Sequence, residues 1–362
     1  MIKKISKYLF YTILLLIAVL IVLLVYPKGD LETQLRNRNV PAIGYAIIEN
    51  GNIVESKVIG DLELGKKAPK NTIFNVASVT KPVFATMVMN LIDDGVIKLD
   101  EPVHPYWIDP DIKSDQRYEK LTPRILLSHK SGFPNWRWFN EDRKLSFWHD
   151  PGTKFHYSGE GMEYMKKVVE NKLDRSLIQL MDSLIFKPSG MIDSRMIWDS
   201  TLHEKRLAKF HDREGNLYKI RKRTVPVASD DLCTTTSDLA KFVLYLINEK
   251  GGLSDSSYND MIELNTSINE RTGYGLGWQI APGLPNGNYA LVHGGSDEGV
   301  RARIVILPKS KSGFVAFTNG DNGQQIIDRL MDKRLKYGGE ILDKIYSPLI
   351  WRIIYLPINL PF

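Results

Sequence analysis

Two residue types that can carry out nucleophilic chemistry stand three positions apart at Ser78 and Lys81, just before the apolar run Val83–Ile92. Residues with this spacing lie on one face of a helix, so their side chains can reach each other. A serine hydroxyl is a poor nucleophile until a base takes its proton, and a desolvated lysine can be that base. A helix start also presents free backbone N–H groups that stabilise an oxyanion. An ordinary helix N-cap followed by a solvated lysine would give the same pattern.

Three later segments carry residue types that would complete a site around such a serine. A tyrosine followed by small residues lies at Tyr157-Ser-Gly159, within mostly helical sequence. A histidine and two glycines follow β-rich sequence at His293-Gly-Gly-Ser296. The segment Leu126-Leu-Ser-His-Lys-Ser-Gly132 leads into the aromatic run Phe133–Phe139. Each segment is weak evidence alone, whereas their order along the chain is specific.

With these motifs in this order, the chain resembles the class C β-lactamase-like serine hydrolases. That family also holds penicillin-binding D,D-peptidases, D-aminopeptidases and related esterases. The resemblance extends over residues 30–337 and includes Leu99-Asp-Glu-Pro-Val103, Pro151-Gly-Thr153 and Thr236-Ser-Asp-Leu-Ala240. It implies an α/β (α+β) fold of the β-lactamase/transpeptidase type.

The resemblance also assigns roles by position. Ser78 would be the nucleophile and acyl carrier, Lys81 would hold or receive its proton, and Tyr157 would assist as general base and acid. A neighbouring lysine charge favours the phenolate that such a role needs. The backbone N–H groups of Ser296 and Ser78 would form the oxyanion hole. No cofactor or metal is implied, and the chain lacks His-Glu-x-x-His or clustered Cys/His spacing.

Two departures from the family pattern bear on the substrate. β-Lactamases and D,D-peptidases usually have Tyr-x-Asn where this chain has Gly159 as the third residue, so an amide that orients acylamide substrates is missing. They have Lys-Thr-Gly or Lys-Ser-Gly where this chain has His293-Gly294-Gly295. A histidine is mostly neutral at pH 7, so it does not present the permanent charge of a lysine to a carboxylate. Both departures favour an esterase or peptidase over a β-lactamase.

Further candidate residues each have a structural alternative. Arg301 and Arg303 alternate along a predicted strand, so they share a face and would replace the lost charge, unless they simply face solvent. Trp136 would line the mouth of the cleft or pack in the core. His129 is expected to be a hydrogen-bonded structural histidine. The candidate set is therefore catalytic Ser78, Lys81 and Tyr157, with oxyanion and substrate-binding positions at Ser296, His293, Gly294, Gly295, Gly159, Arg301 and Trp136.

The hydrophobic pattern places strands at both ends of the body and helices between them. Asn50-Gly51 between two β-branched runs predicts a hairpin. We therefore expect one antiparallel sheet of N- and C-terminal strands flanked by helices, with a helical region beside it. The predicted strands are Ala42–Ile48, Ile53–Ile59, Tyr274–Ile280, Ala290–His293, Arg301–Leu307 and Gly313–Asn319. The predicted helices are Lys81–Asp94, Pro123–Ser128, Glu160–Leu173, Ser176–Ile185, Ser237–Glu249 and Gln324–Tyr337.

The two chain ends are apolar. Residues 8–26 carry no charge and follow three lysines; as a helix they would be about 28 Å long, close to the thickness of a bilayer core. No small-residue cleavage site follows, which predicts a retained signal-anchor rather than a cleaved signal peptide. Residues 1–7 would then be a cytoplasmic tip and 28–345 an extracytoplasmic hydrolase domain, periplasmic in a Gram-negative cell. The apolar tail 346–362 would lie in the membrane interface or pack on the protein's own surface.

Composition sets wide limits on function. A hydrophobic content of 43% and a charged content of 25% are typical of a globular protein. Four units of the +6 formal charge come from lysines before residue 30, so the basic character gives no indication of nucleic-acid binding. Cys233 is the single cysteine, which excludes an internal disulfide.

The sequence therefore predicts a membrane-anchored serine hydrolase that forms an acyl-Ser78 intermediate. The expected partners are a lipid bilayer and an ester or small peptide substrate, including peptides with a D-residue. Two alternatives remain open at this stage. One is a catalytically weak penicillin-binding or sensor protein that retains the cleft, and the other is a β-lactamase.

Overall fold

The computed structural model describes residues 8, 10–17 and 30–346. Eleven strands lie in the described part of the chain. Nine of them form one sheet in the order β3-β2-β1-β11-β10-β9-β8-β7-β6, and each neighbouring pair is antiparallel. The strands are β1 Ala42–Glu49, β2 Asn52–Glu63, β3 Lys66–Lys67, β4 Ile73–Asn75, β5 Cys233–Thr235, β6 Thr266–Ser267, β7 Gly273–Tyr274, β8 Gln279–Leu284, β9 Asn288–Asp297, β10 Val300–Leu307 and β11 Ser312–Thr318.

The predicted sheet of N- and C-terminal strands is confirmed, since β1 pairs with both β2 and β11. The β1–β2 hairpin turns at Asn50 and Gly51, whose φ values are +50° and +73°. Positive φ at both turn residues is what an Asn-Gly hairpin turn requires. The Asn-Gly motif therefore predicted this turn correctly.

Helices cover both faces of the sheet. The α-helices are α1 Leu31–Arg36, α2 Thr80–Asp93, α3 Pro123–Leu127, α4 Gly159–Leu173, α5 Leu177–Met181, α6 Lys187–Ser189, α7 Ser200–Arg206, α8 Thr236–Glu249, α9 Asp255–Ile262, α10 Gln324–Arg334 and α11 Gly338–Ile345. A π-helical turn, Asp182–Phe186, joins α5 to α6. A further helical segment covers residues 10–17.

Strand β1 shows how the two layers are separated. Ala42, Ala46 and Ile48 pack in the larger core with α2, α4 and α8, which we call the front layer. Ile43 and Ile47 point to the opposite face and pack with α1, α10 and α11, which we call the back layer. Side chains alternate across a strand, so a strand covered on both faces reads as continuously apolar.

Two predicted elements differ in the structure. The strand expected over Tyr274–Ile280 is split between β7 and β8 by a turn at 275–278, where Gly277 has φ +79° and a Cβ would lie 2.3 Å from the Ala85 side chain. The helix expected over Gln324–Tyr337 ends at Arg334, because Leu335 is extended. Helices α1, α6, α7, α9 and α11 were not predicted, nor was the small sheet in which β4 pairs with β5.

The predicted membrane segment lies only partly within the described residues. No helix in the described ranges combines the length and apolarity needed to cross a bilayer. Leu9 and residues 18–26 of that segment lie outside those ranges, as do residues 1–7 and 347–362. Tyr346, the first residue of the apolar tail, packs on the back layer, and its hydroxyl donates to Asp328 at 3.2 Å.

A buried ion pair ties the sheet to the back layer. The Arg303 guanidinium on β10 donates to the Asp328 carboxylate of α10 at 3.1 Å, and it also contacts the Tyr346 hydroxyl. The side chains are only 7% and 1% exposed. In an ion pair this buried, each charge offsets the cost of desolvating the other. Removing one member therefore leaves a buried charge without a partner.

We expect Asp328→Ala to lower the free energy of unfolding by about 3–5 kcal/mol, because it leaves the Arg303 charge buried without a carboxylate. Denaturant unfolding of the full chain measures this change. Glu101→Ala is the matched control, since its bridge to Lys98 is largely exposed and should contribute less than about 1 kcal/mol. Equal effects of the two substitutions would contradict the prediction.

Candidate active site

Ser78 lies in a 3-10 turn, Ala77–Val79, that leads directly into α2. The turn begins with Ala77 in a left-handed conformation, φ +46°, which is uncommon for a residue with a Cβ. The Asn75 side chain stabilises it by accepting the Ala77 N–H at 2.7 Å. The Ser78 hydroxyl does not cap the turn or α2, so the N-cap interpretation of this serine is wrong.

Lys81 approaches Ser78 from inside the protein. Its side chain is 1% exposed, and its Nζ lies 2.8 Å from Ser78 Oγ. The same Nζ donates to the Ser229 carbonyl at 2.6 Å. A buried lysine needs such partners, because burial without them disfavours its charged form. The alternative of a solvated lysine is therefore excluded.

The segment that carries Ser229 is fixed by helix α4. Glu163 Oε1 accepts the Ser229 N–H at 3.0 Å and the Ser229 hydroxyl at 2.9 Å. Lys166 in turn donates to the other Glu163 oxygen at 2.6 Å. Sequence reasoning missed Ser229 and Glu163, since neither belongs to a motif and their contact spans 66 positions.

Tyr157 stands on the other side of Lys81. Lys81 Nζ lies 4.9 Å from the centre of the half-buried Tyr157 ring, within the range of a cation–π contact. The ring also packs on His129, with a centroid separation of 4.4 Å. The structure thus brings the three predicted catalytic side chains, Ser78, Lys81 and Tyr157, into one cluster.

Strand β9 passes the Ser78 turn at close range. A Cβ on Gly295 would lie 2.2 Å from the Val76 carbonyl oxygen and 3.1 Å from the Ala302 side chain. Only glycine permits this approach. Ser296 follows at once, and its side chain is exposed. The strand therefore runs against the backbone that precedes Ser78, one residue before Ser296.

His293 does not offer a charge to the cleft. Its side chain is buried, with Nδ1 2.8 Å from the Gly294 carbonyl and Nε2 2.9 Å from the Tyr274 hydroxyl. Burial and the neighbouring Lys81 charge lower the pKa of His293 to about 3. Both effects favour the neutral form of the ring.

His129 is buried and hydrogen-bonded, as expected. Its Nδ1 accepts the Ser158 N–H at 3.1 Å, and its Nε2 lies 3.2 Å from the Tyr274 hydroxyl. Burial, together with the Lys81 charge, holds the pKa of His129 well below its usual range. Tyr274 is a residue that sequence reasoning missed, because its partners His129 and His293 lie 145 and 19 positions away in sequence.

Gly159 makes room for an aromatic side chain. A Cβ at this position would lie 3.0 Å from the Trp136 ring and 3.1 Å from the Asn135 carbonyl. Trp136 stacks on Trp138 with a centroid separation of 4.5 Å. The indole therefore fills space next to the position where the family pattern has an asparagine.

Arg137 anchors this aromatic pair. Its guanidinium donates to both carboxylate oxygens of Glu160, to Oε1 at 3.1 Å and to Oε2 at 2.8 Å, and to Asp109 and Asp111 at 2.9 and 3.0 Å. These carboxylates hold the pKa of Arg137 above its usual value, against the opposing effect of burial. Trp138, in contrast, is 55% exposed. The pair therefore forms a rigid wall with one exposed ring.

A cleft of about 480 Å³ lies along this wall. Its lining includes Asp230 and Asp297, the sequence neighbours of Ser229 and Ser296. Each carboxylate accepts the N–H of the next residue, and the Lys81 charge lies near enough to Asp230 to oppose the rise of its pKa. The other charged residues of the lining are in ion pairs. Burial and the neighbouring Asp231 raise the pKa of Asp230 to about 7.

The two strand arginines are already paired. Arg301 forms an ion pair with Asp321 at 3.0 Å and donates to the Asp297 carbonyl at 2.6 Å. Arg303 lies in the buried pair with Asp328 on the back layer. The solvent-facing alternative is wrong for both, and their compensated charges do not stand in for the lysine of the family pattern. Among the described residues, no cluster of His, Cys, Asp and Glu could hold a metal ion.

The model of the Beta-lactamase family matches residues 29–335, so the chain belongs to the Beta-lactamase family of serine hydrolases. Among curated relatives, it is 21% identical over 318 residues to Protein flp of Staphylococcus aureus (strain MW2), with 80% of this chain and 61% of the relative covered. It is 26% identical over 298 residues to penicillin-binding protein 4* of Bacillus subtilis (strain 168), with 71% and 63% covered. The chain thus spans about three-fifths of the length of these relatives.

Solved structures share the fold. The octameric penicillin-binding protein homologue from Pyrococcus abyssi superposes with a TM-score of 0.70 at 23% identity, covering 81% of this chain and 73% of that one. A D-stereospecific amidohydrolase from Streptomyces sp. gives 0.67 at 19% identity, covering 83% and 96%. The predicted β-lactamase/transpeptidase-like fold, with its large antiparallel sheet and flanking helices, is confirmed.

We expect Gly295→Ala to reduce kcat/KM for an ester by about 10²-fold, the cost of losing one oxyanion donor. The reason is that the added Cβ would collide with the Val76 carbonyl and displace β9 from Ser78. Gly294→Ala is the matched control, since its Cβ would lie 3.3 Å from the end of the Arg303 side chain and 3.9 Å from the nearest backbone atom, the Ala302 carbonyl oxygen. Wild-type kcat/KM in folded Gly295→Ala protein would contradict the prediction.

Proposed function

We propose that this chain is a membrane-anchored serine hydrolase that acts outside the cytoplasm on esters or small peptides, including peptides with a D-residue. One observation carries the proposal: the buried Lys81 amine lies 2.8 Å from the Ser78 hydroxyl. A serine and an amine so arranged have the geometry of an activated nucleophile. Residues 8–26, apolar and preceded by lysines, support the anchor and its orientation.

The proposed reaction uses the cluster in two steps. In its neutral form, Lys81 takes the Ser78 proton as Oγ attacks the substrate carbonyl, with Tyr157 assisting the transfer. The oxyanion is bound by the backbone N–H groups of Ser78 and Ser296, and the leaving group departs with a proton. Water then attacks the acyl-Ser78 ester and releases the acid, restoring the serine.

Cleft electrostatics support a substrate without a carboxylate next to the scissile bond. His293 is neutral, and Arg301 is compensated by Asp321. The carboxylates of Asp230, next to Lys81, and of Asp297 would repel an anion and attract a cation when they are ionised. The stacked tryptophans add an aromatic surface suited to a cationic group. We therefore favour an ester or peptide that carries a positive charge.

A fluorophosphonate probe should add one covalent mass increment to the full chain, and Ser78→Ala should abolish it. Lys81→Met should slow labelling by about 10²-fold or more, since the base is removed while the side-chain length is kept. Intact mass spectrometry measures both effects.

The control is Ser56→Ala, which changes an exposed serine on β2 and should be labelled like wild type. Equal labelling of the Ser78→Ala variant would refute the nucleophile. Labelling without turnover of any ester or peptide would instead favour the binding or sensor role.

The charge preference can be tested with two isosteric esters, one ending in trimethylammonium and the other in tert-butyl. The ratio of their kcat/KM values should rise by about threefold to tenfold from pH 6 to pH 8, because Asp230, with a pKa of about 7, ionises in this interval. Asp230→Asn should flatten this rise, whereas the exposed Asp94→Asn should keep it. A pH-independent ratio in wild type would exclude the assigned role of Asp230.

A further inference from the structure

Two buried histidines and a tyrosine form a continuous hydrogen-bonded chain behind the proposed catalytic cluster. His129 is fully buried, Tyr274 is 2% exposed and His293 is 4% exposed. The Tyr274 hydroxyl lies 3.2 Å from His129 Nε2 and 2.9 Å from His293 Nε2. The three side chains come from separate segments of the sequence.

Its two ends fix which atoms carry protons. A backbone N–H can only donate, so the Ser158 N–H makes His129 Nδ1 an acceptor. A carbonyl can only accept, so the Gly294 oxygen makes His293 Nδ1 a donor. With both rings neutral, the protons are then assigned throughout. His129 Nε2–H donates to the Tyr274 oxygen, and the Tyr274 O–H donates to His293 Nε2.

The direction of this chain links two parts of the site. It starts at the Ser158 N–H, next to Tyr157, and ends at the Gly294 carbonyl, next to Gly295 in β9. The His129 ring additionally packs on Tyr157 at 4.4 Å. His129 itself has φ +56°, a backbone conformation that persists only where its surroundings hold it.

We propose that His129 and Tyr274 are positioning residues that hold Tyr157 and the oxyanion strand β9 at a fixed separation. They do so by locking His129 and His293 in opposite neutral tautomers. This proposal rests on the proposed acyl-serine hydrolase for its effect on rate, whereas the tautomers themselves are independent of any activity. The chain also explains why His293 is unavailable to substrate: both ring nitrogens already have protein partners.

The charged and titratable groups around the chain favour the neutral rings. Lys81 of α2 faces both histidines, and its charge opposes protonation of each. His156 adds to this effect at His129, and Arg303 of β10 adds to it at His293. Burial, and after it the nearby Tyr157, raises the pKa of Tyr274 well above its usual value, which keeps the hydroxyl proton on Tyr274.

The direct test is ¹⁵N NMR of the full chain in detergent micelles, with ¹⁵N-labelled histidine. The protein has seven histidines. The signals that disappear in His129→Gln and in His293→Asn are assigned to His129 and His293. We expect the Nε2–H tautomer at His129 and the Nδ1–H tautomer at His293, both persisting to about one pH unit below the usual histidine pKa of about 6.5. The reverse tautomer at either ring, or an imidazolium at pH 7, overturns the proposal.

Tyr274→Phe tests the effect on the reaction. It removes the hydroxyl that joins the rings, so kcat should fall by at least tenfold while KM changes by less than threefold. His293 loses the donor to its Nε2, and its protonation in the NMR titration should move up by about one pH unit. Tyr45→Phe is the control, since Tyr45 is a buried tyrosine whose hydroxyl binds Glu55 in the back layer; it should change neither quantity.

The outcomes separate this proposal from the proposed function. If wild type lacks Ser78-dependent hydrolysis but shows the two tautomers, the hydrolase proposal fails and the hydrogen-bonded chain stands. If wild type hydrolyses esters and folded Tyr274→Phe keeps its kcat, the positioning role fails. Should Tyr274→Phe not fold, His129→Asn serves instead, because its amide oxygen can accept the Ser158 N–H while the link to Tyr274 is lost. It too should lower kcat at least tenfold, and an unchanged kcat overturns the role.

Discussion

The site depends on a lysine amine held inside the protein, where water cannot solvate it. Lys81 finds its oxygen partners on two different elements, the Ser78 turn and the Ser229 segment. A buried ammonium without such partners would be costly, so the Ser229 segment cannot move away freely. Glu163 of α4 fixes that segment in turn. One buried charge thus couples α2, α4 and the chain before β5.

Close backbone contacts complete this arrangement. Gly295 lets β9 touch the carbonyl of Val76, and Gly277 lets the β7–β8 turn touch Ala85 of α2. The first contact packs the sheet against the residues before Ser78, and the second packs the β7–β8 turn against the helix that carries Lys81. Because protein interiors are tightly packed and transmit small displacements, the nucleophile is held by its neighbours as well as by its own helix.

The sequence predicted what depends on local pattern. Short-range signals predicted the Asn50-Gly51 turn, the N- and C-terminal strands of the sheet and the start of α2. The order of the three motifs along the chain predicted the family. The sequence did not reveal Ser229, Glu163 or Tyr274, because each acts through a partner distant in sequence. The charges of Arg301 and Arg303 were misjudged for the same reason, since Asp321 and Asp328 lie on elements that only folding brings near. The split of Tyr274–Ile280 depended on packing against α2, which periodicity does not record.

Both described ends of the folded body belong to the back layer. Leu35 of α1 and Tyr346 pack there, whereas Lys81 and the Ser78 turn lie on the front side of the sheet. The cleft beside Trp138 is lined by Tyr164 of α4, a residue of the front core. The sheet therefore stands between the cleft and the two described ends of the folded body. A group joined at either of these ends would be separated from a bound substrate by the strands.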